Sequence, residues 1–234
     1  MKVIAHRGAS AEAPENSLKS IGLAIEQNAD YVEIDVRLTK DGVPVIIHDP
    51  SAEGIAVHEL TALSLRQYEI EKIFNGRVIK ERIPTLEEIF QRDWIESGIM
   101  IEIKKCPQAD SEIVQAVMEI LIKSVKIPKK IIMGSFSLEI VREVAQRKNQ
   151  CKAPIQTIGI VEEEKFIDEF LSMRVDMIAM WHPLINRPVV EKLRSHGVCL
   201  WAFTVNDCNV ASSLQKAGVD GIITDVPSKM LNYI

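Results

Sequence analysis

The sequence predicts an α/β fold, and within that class a (β/α)₈ barrel with a small insertion after the second strand. Three observations carry this. Short apolar runs recur with longer amphipathic segments between them, and eight such strand–helix units can be counted. The length of 234 residues suits one barrel domain of about 200–250 residues. Apolar residues make up 47 % of the chain and aromatics only 5 %, a balance suited to Val/Ile/Leu-rich strands covered on both faces. Alternation of strand and helix argues for a parallel sheet, and eight units argue for closure. An open doubly wound sheet is the alternative that the pattern alone leaves standing.

Taken in order, the predicted barrel strands are Val3–His6, Tyr31–Val36, Met100–Lys104, Ile131–Ser135, Ile155–Gly159, Asp176–Met180, Val198–Phe203 and Gly221–Thr224. Between them Ile113, Val114, Val117, Leu121 and Ile122 recur at three- and four-residue steps, as do Ile140, Val141 and Val144, which is helical spacing. The alternation breaks once. Asp41-Gly42 stands between apolar stretches, a strong hairpin signal, so Val45–His48 is read as an antiparallel return strand. From Asp49 to about Arg82 (49–82) the chain is read as an insertion with a helix over Ser64–Phe74. No linker composition sets it apart, so residues 1–234 are read as one barrel domain carrying an insertion subdomain.

The net charge is −5 with no long basic run, which argues against a nucleic-acid partner. Any anionic substrate must therefore be met by local charge. No uninterrupted apolar run reaches about 18 residues, so no stable membrane insertion is expected. The first residues enter a strand at once, leaving no room for a signal peptide. The four cysteines, Cys106, Cys151, Cys199 and Cys208, form no CxxC pair and suit a reducing compartment; Cys199 is read as a small buried residue. The expected location is cytoplasmic, and a homo-oligomer is compatible with the sequence.

Charged residues on strands that should be buried are the informative feature, because a buried charge needs a partner or an ion. Glu33 and Asp35 lie two apart on the second strand and so share a face, about 6–7 Å apart along it. Glu102 and Lys104 repeat the arrangement on the third. Glu33 and Asp35 could pair with Arg37 and Lys104 as internal ion pairs, but adding Glu102 makes an acid cluster that favours a hard divalent cation, Mg²⁺ or Ca²⁺. His6 closes the first strand and His48 the hairpin return. Histidine titrates near neutrality, so one can take a proton while the other gives one. Arg7 and Lys104 are suited to a phosphate, Arg7 through its fork of donors.

The runs Ala5-His6-Arg7-Gly8-Ala9, Pro14-Glu15-Asn16-Ser17, Glu33-Ile34-Asp35-Val36, Thr39-Lys40-Asp41-Gly42, His48-Asp49 and Glu102-Ile103-Lys104 together resemble the glycerophosphodiester phosphodiesterase family. Ser135-Phe136, Thr204-Val205-Asn206-Asp207 and Gly218-Val219-Asp220-Gly221-Ile222-Ile223-Thr224-Asp225 extend the likeness over most of the chain. The resemblance implies a barrel with its site at the C-terminal strand ends, hydrolysing a glycerophosphodiester to glycerol 3-phosphate and an alcohol. It implies that His6 and His48 act as acid and base, that Glu33, Asp35 and Glu102 bind one divalent metal, and that Arg7 and Lys104 contact phosphate. The family scheme has the neighbouring glycerol hydroxyl attack phosphorus, giving a cyclic phosphate that water opens.

Two departures stand out. The family usually has tryptophan before the Thr-Val-Asn-Asp run; here Phe203 stands there, with Trp201 two residues earlier on the same strand face. Either ring could form the apolar wall for glycerol carbons. After His48-Asp49-Pro50 the loop reads Ser51-Ala52-Glu53-Gly54-Ile55-Ala56, unlike the family, and should border the leaving alcohol. Glu15 is read as bracing Arg7 or His6 from behind, and Asn16 or Ser17 as capping the first helix. His182 could line the pocket but is read as a surface-loop residue, His196 as a favourable cation at a helix end, His58 as a surface residue of the insertion, and Glu162-Glu163-Glu164-Lys165 as a solvated helix start. A barrel that only binds phosphate ligands needs neither two histidines nor three acids. A phospholipase working on membranes would call for apolar loops or a basic surface.

Overall fold

The structure, a computed structural model, describes residues 1–92, 97–106, 110–124, 126, 128, 130–150 and 154–234. Eight strands form the barrel: β1 (Lys2–Ala5), β2 (Tyr31–Leu38), β3 (Gly98–Ile103), β4 (Ile131–Ser135), β5 (Ile155–Val161), β6 (Met177–Trp181), β7 (Cys199–Phe203) and β8 (Gly221–Thr224). Each pairs in parallel with its neighbours, and β1 bonds to both β8 and β2, which closes the cylinder. The helices are α1 (Leu18–Glu26), α2 (Leu86–Phe90), α3 (Asp110–Lys123), α4 (Leu138–Arg147), α5 (Ile167–Ser172), α6 (Arg187–Ser195), α7 (Cys208–Ala217) and α8 (Pro227–Leu231). The closed sheet decides against the doubly wound alternative.

Strand parity explains where the core ends and the site begins. Ile4, Tyr31, Met100, Ile132, Ile158, Ile160, Met177, Trp201 and Ile223 form one buried cluster within the barrel, while alternate residues such as Ile34 and Val36 pack outward beneath the helices. Stepping two residues toward the C-terminal end from Ile4, Tyr31, Met100, Ile160 and Ile223 gives His6, Glu33, Glu102, Glu162 and Asp225. The inward face thus turns from apolar to ionisable within one layer. Lower in the barrel Tyr31 and Trp201 stack with ring centroids 5.1 Å apart. Gly221 leaves room for them, since a Cβ there would stand 2.7 Å from the Trp201 ring.

The hairpin forms as expected but earlier: Pro44–Ile46 pairs antiparallel with the end of β2, and Ile47 N–H then donates to Asp35 O at 3.0 Å. The helix expected over Ser64–Phe74 does not form. Only Ala62–Leu65 is helical, and Glu69–Phe74 pairs with Arg77–Arg82 as a two-stranded ribbon. Asn75 and Gly76 are both left-handed, at φ 50° and 73°, the turn whose twist matches such a ribbon. The Asn-Gly signal outweighs the apolar spacing. Val45, Ile47, Ala52, Val57, Leu65 and Ile83 give this region a small core of its own.

Cys199 is exposed rather than buried, because it opens β7 at the N-terminal rim of the barrel; Cys106 and Cys208 are half-buried, and Cys151 lies outside the described residues. Among the described residues no helix is long and apolar enough to cross a membrane.

Candidate active site

The C-terminal mouth of the barrel opens into a cavity of about 360 Å³ lined by His6, Arg7, Glu33, His48, Glu102, Lys104 and Phe203 among others. Glu33, Asp35 and Glu102 are 2 %, 1 % and 8 % exposed and offer ligand oxygens all within 4.8 Å of one another. Asp35 and Glu102 face each other across the β2–β3 register.

His6 extends the β1 ladder by one bond, donating its N–H to Thr224 O at 2.8 Å. The chain then turns sharply: Arg7 and Gly8 are left-handed at φ 54° and 80°, and any Cβ at Gly8 would lie 2.5 Å from the Ser20 backbone. Left-handed Arg7 costs about 1–2 kcal/mol of backbone strain. Its N–H donates to Glu33 Oε2 at 2.8 Å, and its carbonyl accepts from Ser20 Oγ at 2.9 Å and Asn16 N–H at 3.0 Å. The turn swings the guanidinium over the acids, with Nε 3.0 Å from Asp35 Oδ2 and a bond to Glu15 Oε1 of 3.0 Å. Glu15 therefore sits behind Arg7. Ser17, not Asn16, caps α1. Asn16 instead clasps Asp35, donating to Oδ2 at 2.8 Å and accepting from the Asp35 N–H at 3.1 Å.

Lys104 Nζ lies 2.8 Å from Asp35 Oδ1 and also pairs with Glu102. Burial alone would raise Asp35, but Lys104 and Arg7 hold it below its ordinary value. No lysine or arginine pairs with Glu33 among the described residues. Burial, reinforced by the charge of Asp35, pushes it up to about 8, and its Oε1 is buried without a hydrogen-bond partner. Of the internal ion pairs read from sequence, only Lys104 with Asp35 forms among the described residues; Glu33 Oε1 is left unmet, and Arg37 serves elsewhere, donating to the His48 carbonyl at 2.8 Å. An orphaned acceptor inside an all-oxygen triad fits a hard divalent cation.

The two histidines sit in different surroundings. His6 Nδ1 lies 2.7 Å from Asp225 Oδ1, which also accepts from Ser10 Oγ at 3.0 Å, while Asp225 Oδ2 accepts from Asn206 Nδ2 at 2.6 Å. Burial opposes ionisation of Asp225, but the His6 and Asn206 contacts hold it at about 2. Burial would lower His6, yet the Asp225 hydrogen bond and the charge of Glu33 outweigh it and keep His6 raised. With Nδ1 bound to an ionised carboxylate, Nε2 is the nitrogen left for chemistry. His48 is more exposed, its Nδ1 2.9 Å from Asp49 Oδ1, and it lines both the mouth cavity and a second cavity bordered by the insertion.

Phe203 lines the mouth, edge-to-face with Phe136 at 6.0 Å. Trp201 does not: it is 2 % exposed in the barrel core one layer below, because two residues along a strand is one layer of a filled barrel. Trp201→Ala should therefore cost about 3–5 kcal/mol of stability while Phe203→Ala should lower kcat/KM about tenfold with little change in stability. Chemical denaturation and steady-state kinetics on both variants check this; the opposite pairing of effects would mean the strand is registered otherwise.

His182 opens a short 3₁₀ turn after β6 and lies outside the cavity. His196 ends α6 with Nδ1 2.8 Å from Lys192 O, and His58 is half-buried in the insertion. Sequence reasoning missed Asp225, Asn206, Asn16, Phe136 and Glu162. The Asn-Asp pair of Thr204-Val205-Asn206-Asp207 carried a signal, since Asp207 caps α7 and its neighbour was left to hold something else.

Fold and site together define a closed β/α barrel whose mouth combines a cation-seeking acid triad, a guanidinium and an ammonium, and two histidines. The model of the glycerophosphoryl diester phosphodiesterase family matches residues 6–229. The glycerophosphodiester phosphodiesterase of Caldanaerobacter subterraneus subsp. tengcongensis is 33 % identical over 250 residues, covering 99 % of this chain and 97 % of that protein. Among solved structures, a phosphodiesterase of Oleispira antarctica in complex with the product sn-glycerol-3-phosphate superposes with a TM-score of 0.88 at 26 % identity, covering 100 % of this chain and 96 % of that one. The glycerophosphodiester phosphodiesterase of Thermotoga maritima does so with a TM-score of 0.76 at 28 % identity, over 98 % and 96 %. This chain belongs to the glycerophosphoryl diester phosphodiesterase family.

Proposed function

We propose that this protein hydrolyses glycerophosphodiesters to sn-glycerol 3-phosphate and an alcohol in a divalent-metal-dependent reaction, with His6 and His48 exchanging the protons. The observation that carries the reading is the meeting of His6, His48, Arg7, Lys104, Glu33 and Glu102 in one cavity, with Asp35 completing the acid triad within 4.8 Å. The product complex of the Oleispira antarctica relative supports the choice of substrate.

Glu33, Asp35 and Glu102 are the residues that would hold Mg²⁺ or Ca²⁺, which when bound supplies positive charge to the phosphoryl oxygens. Arg7 and Lys104 meet the phosphate. The second cavity behind His48, formed with the insertion subdomain (residues 49–82), offers room for the leaving alcohol, so His48 is the acid and His6 the base. His6 Nε2 takes the proton of the glycerol C2 hydroxyl as that oxygen attacks phosphorus. His48 gives its proton to the departing alkoxide, and a cyclic phosphate results. Water, deprotonated by His48, then opens the ring while His6 returns its proton to the C2 oxygen, and both histidines regain their starting states.

The test is incubation with diesters of several alcohols under Mg²⁺ and Ca²⁺, with sn-glycerol 3-phosphate and the free alcohol measured; a protein that binds the diesters and releases neither does not have this function. Arg7→Lys should lower kcat/KM about 10- to 100-fold, the worth of one charged hydrogen bond, and equally for every alcohol because the lost contact is to the shared phosphate. Parallel kinetics on two diesters check it. A loss that varied with the alcohol would place Arg7 beside the leaving group.

A further inference from the structure

Glu162 belongs by sequence to an acidic run that suggests only solvated surface. Its neighbours behave so: Glu163 pairs with Lys165 at 2.6 Å, and Glu164 lies 3.5 Å from Asn186. Glu162 is exposed as they are and stands one residue past the end of β5; it follows Ile158 and Ile160 at two-residue steps, both in the inner barrel cluster, so it stands where the inward face opens to the mouth. It lines the mouth cavity with His6, Phe203 and Thr204. Strand β5 is four strands from β1 either way round the closed sheet, so Glu162 stands across the cavity from His6. No ion pair or hydrogen bond to its carboxylate occurs among the described residues.

Charge decides what such a carboxylate can serve. The groups that suit a phosphate, Arg7, Lys104 and the acid triad, all lie on or just after β1, β2 and β3. An anion on the β5 side repels a phosphodiester, and the part of the substrate it suits is one that donates hydrogen bonds. Between the two sides stand Phe136 and Phe203, edge to face, an apolar wall suited to carbon. The glycerol end of the proposed substrate carries two adjacent free hydroxyls. Carboxylates take hydroxyls of this kind, as in ribose recognition by dinucleotide-binding proteins.

Resting on the reading above, we propose that Glu162 is the specificity determinant for the glycerol end of the substrate. Its carboxylate accepts a hydrogen bond from the terminal C1 hydroxyl, and the C2 hydroxyl is left to His6. The diol is thereby spanned across the cavity, and the protein selects diesters whose C1 hydroxyl is free. A diester in which C1 is acylated or lacks its oxygen loses the contact and leaves Glu162 facing carbon.

The experiment compares glycerol diesters with 2-hydroxypropyl diesters, which lack only the C1 oxygen, each with a cationic and a neutral leaving alcohol, in metal-loaded protein. The unmodified protein should prefer the glycerol diester by about 10- to 100-fold in kcat/KM, the worth of one hydrogen bond to a charged group. In Glu162→Ala the preference should collapse to within about threefold, and in Glu162→Gln, which still offers an acceptor, it should fall part of the way. The change should be the same for both leaving alcohols. A preference that survives Glu162→Ala overturns the inference, as does its absence in the unmodified protein. A loss confined to the cationic alcohol would put Glu162 at the leaving group instead. Failure of the unmodified protein to release any sn-glycerol 3-phosphate would overturn the functional reading together with the inference, whereas release without C1 preference overturns the inference alone.

Discussion

His6→Ala and His48→Ala should each lower turnover of glycerophosphodiesters by about 10²–10⁴-fold, the usual worth of a positioned acid or base. The double variant should lose far less than the product of the two, because groups that act as a unit are not additive. The two differ in what rescues them. A nitrophenyl leaving group departs without a proton, so it should restore nitrophenol release in the first step by His48→Ala, though not the opening of the cyclic phosphate, and leave His6→Ala slow in the first step. The aspartate behind His6 gives a further handle. Catalysis by His6 as base needs its neutral form, and Asp225 raises it above the ordinary histidine value against the lowering effect of burial. The acid limb of the pH profile should therefore lie above about 6.5. Removing the carboxylate in Asp225→Asn leaves only the charge of Glu33 to oppose burial, so the limb should move to lower pH while the maximal rate falls about 10²–10⁴-fold. Stopped assays across pH on the three variants check all of this. Equal rescue of both histidine variants, or an acid limb unmoved by Asp225→Asn, would reject the assignment of roles.

Removal of metal should have an effect at least as large. Chelation should take activity to background, and Mg²⁺ or Ca²⁺ should restore it. Glu33→Gln and Asp35→Asn each remove a charge from a triad whose oxygens lie within 4.8 Å, and each should weaken metal binding by more than about 100-fold, since even supporting residues of metal sites are worth 10–100-fold. Asn16→Ala, which leaves the triad intact but frees the Asp35 carboxylate it holds, should cost about 10–100-fold. Calorimetric titration of the purified variants with metal, without substrate, reads these losses directly. Near-normal affinity in Glu33→Gln would mean that its unpartnered oxygen serves some other purpose.

What could be read from the sequence was the part written in local pattern. Glu33, Asp35 and Glu102 stand out because ionised residues are misplaced on strands buried on both faces, and two-residue spacing puts them on one face whatever the rest of the chain does. Asp225 could not be found that way: it lies 219 residues from His6, and only barrel closure through the β1–β8 pairing brings them together. Local propensity makes either Asn16 or Ser17 the cap of α1, and only the folded chain shows that Ser17 takes that task while Asn16 holds Asp35. Trp201 and Phe203 were equivalent in parity, and the layer each occupies is set by how the barrel interior fills. The ribbon at Glu69–Arg82 was missed for a different reason, since the apolar spacing there imitates a helix and only Asn75-Gly76 marks the turn. Glu162 was hidden among exposed acidic neighbours, and only the closed barrel shows that it alone of the run borders the mouth cavity.

The measurement closest to the central claim is the initial rate of sn-glycerol 3-phosphate release from one glycerophosphodiester by the purified protein, with saturating divalent metal and again in excess chelator. The account predicts release matched mole for mole by free alcohol with metal, background rate with chelator, and recovery when metal is returned. Undiminished release from protein shown by metal analysis to hold no divalent ion, or metal-dependent cleavage that yields a phosphorylated alcohol and free glycerol, would contradict it.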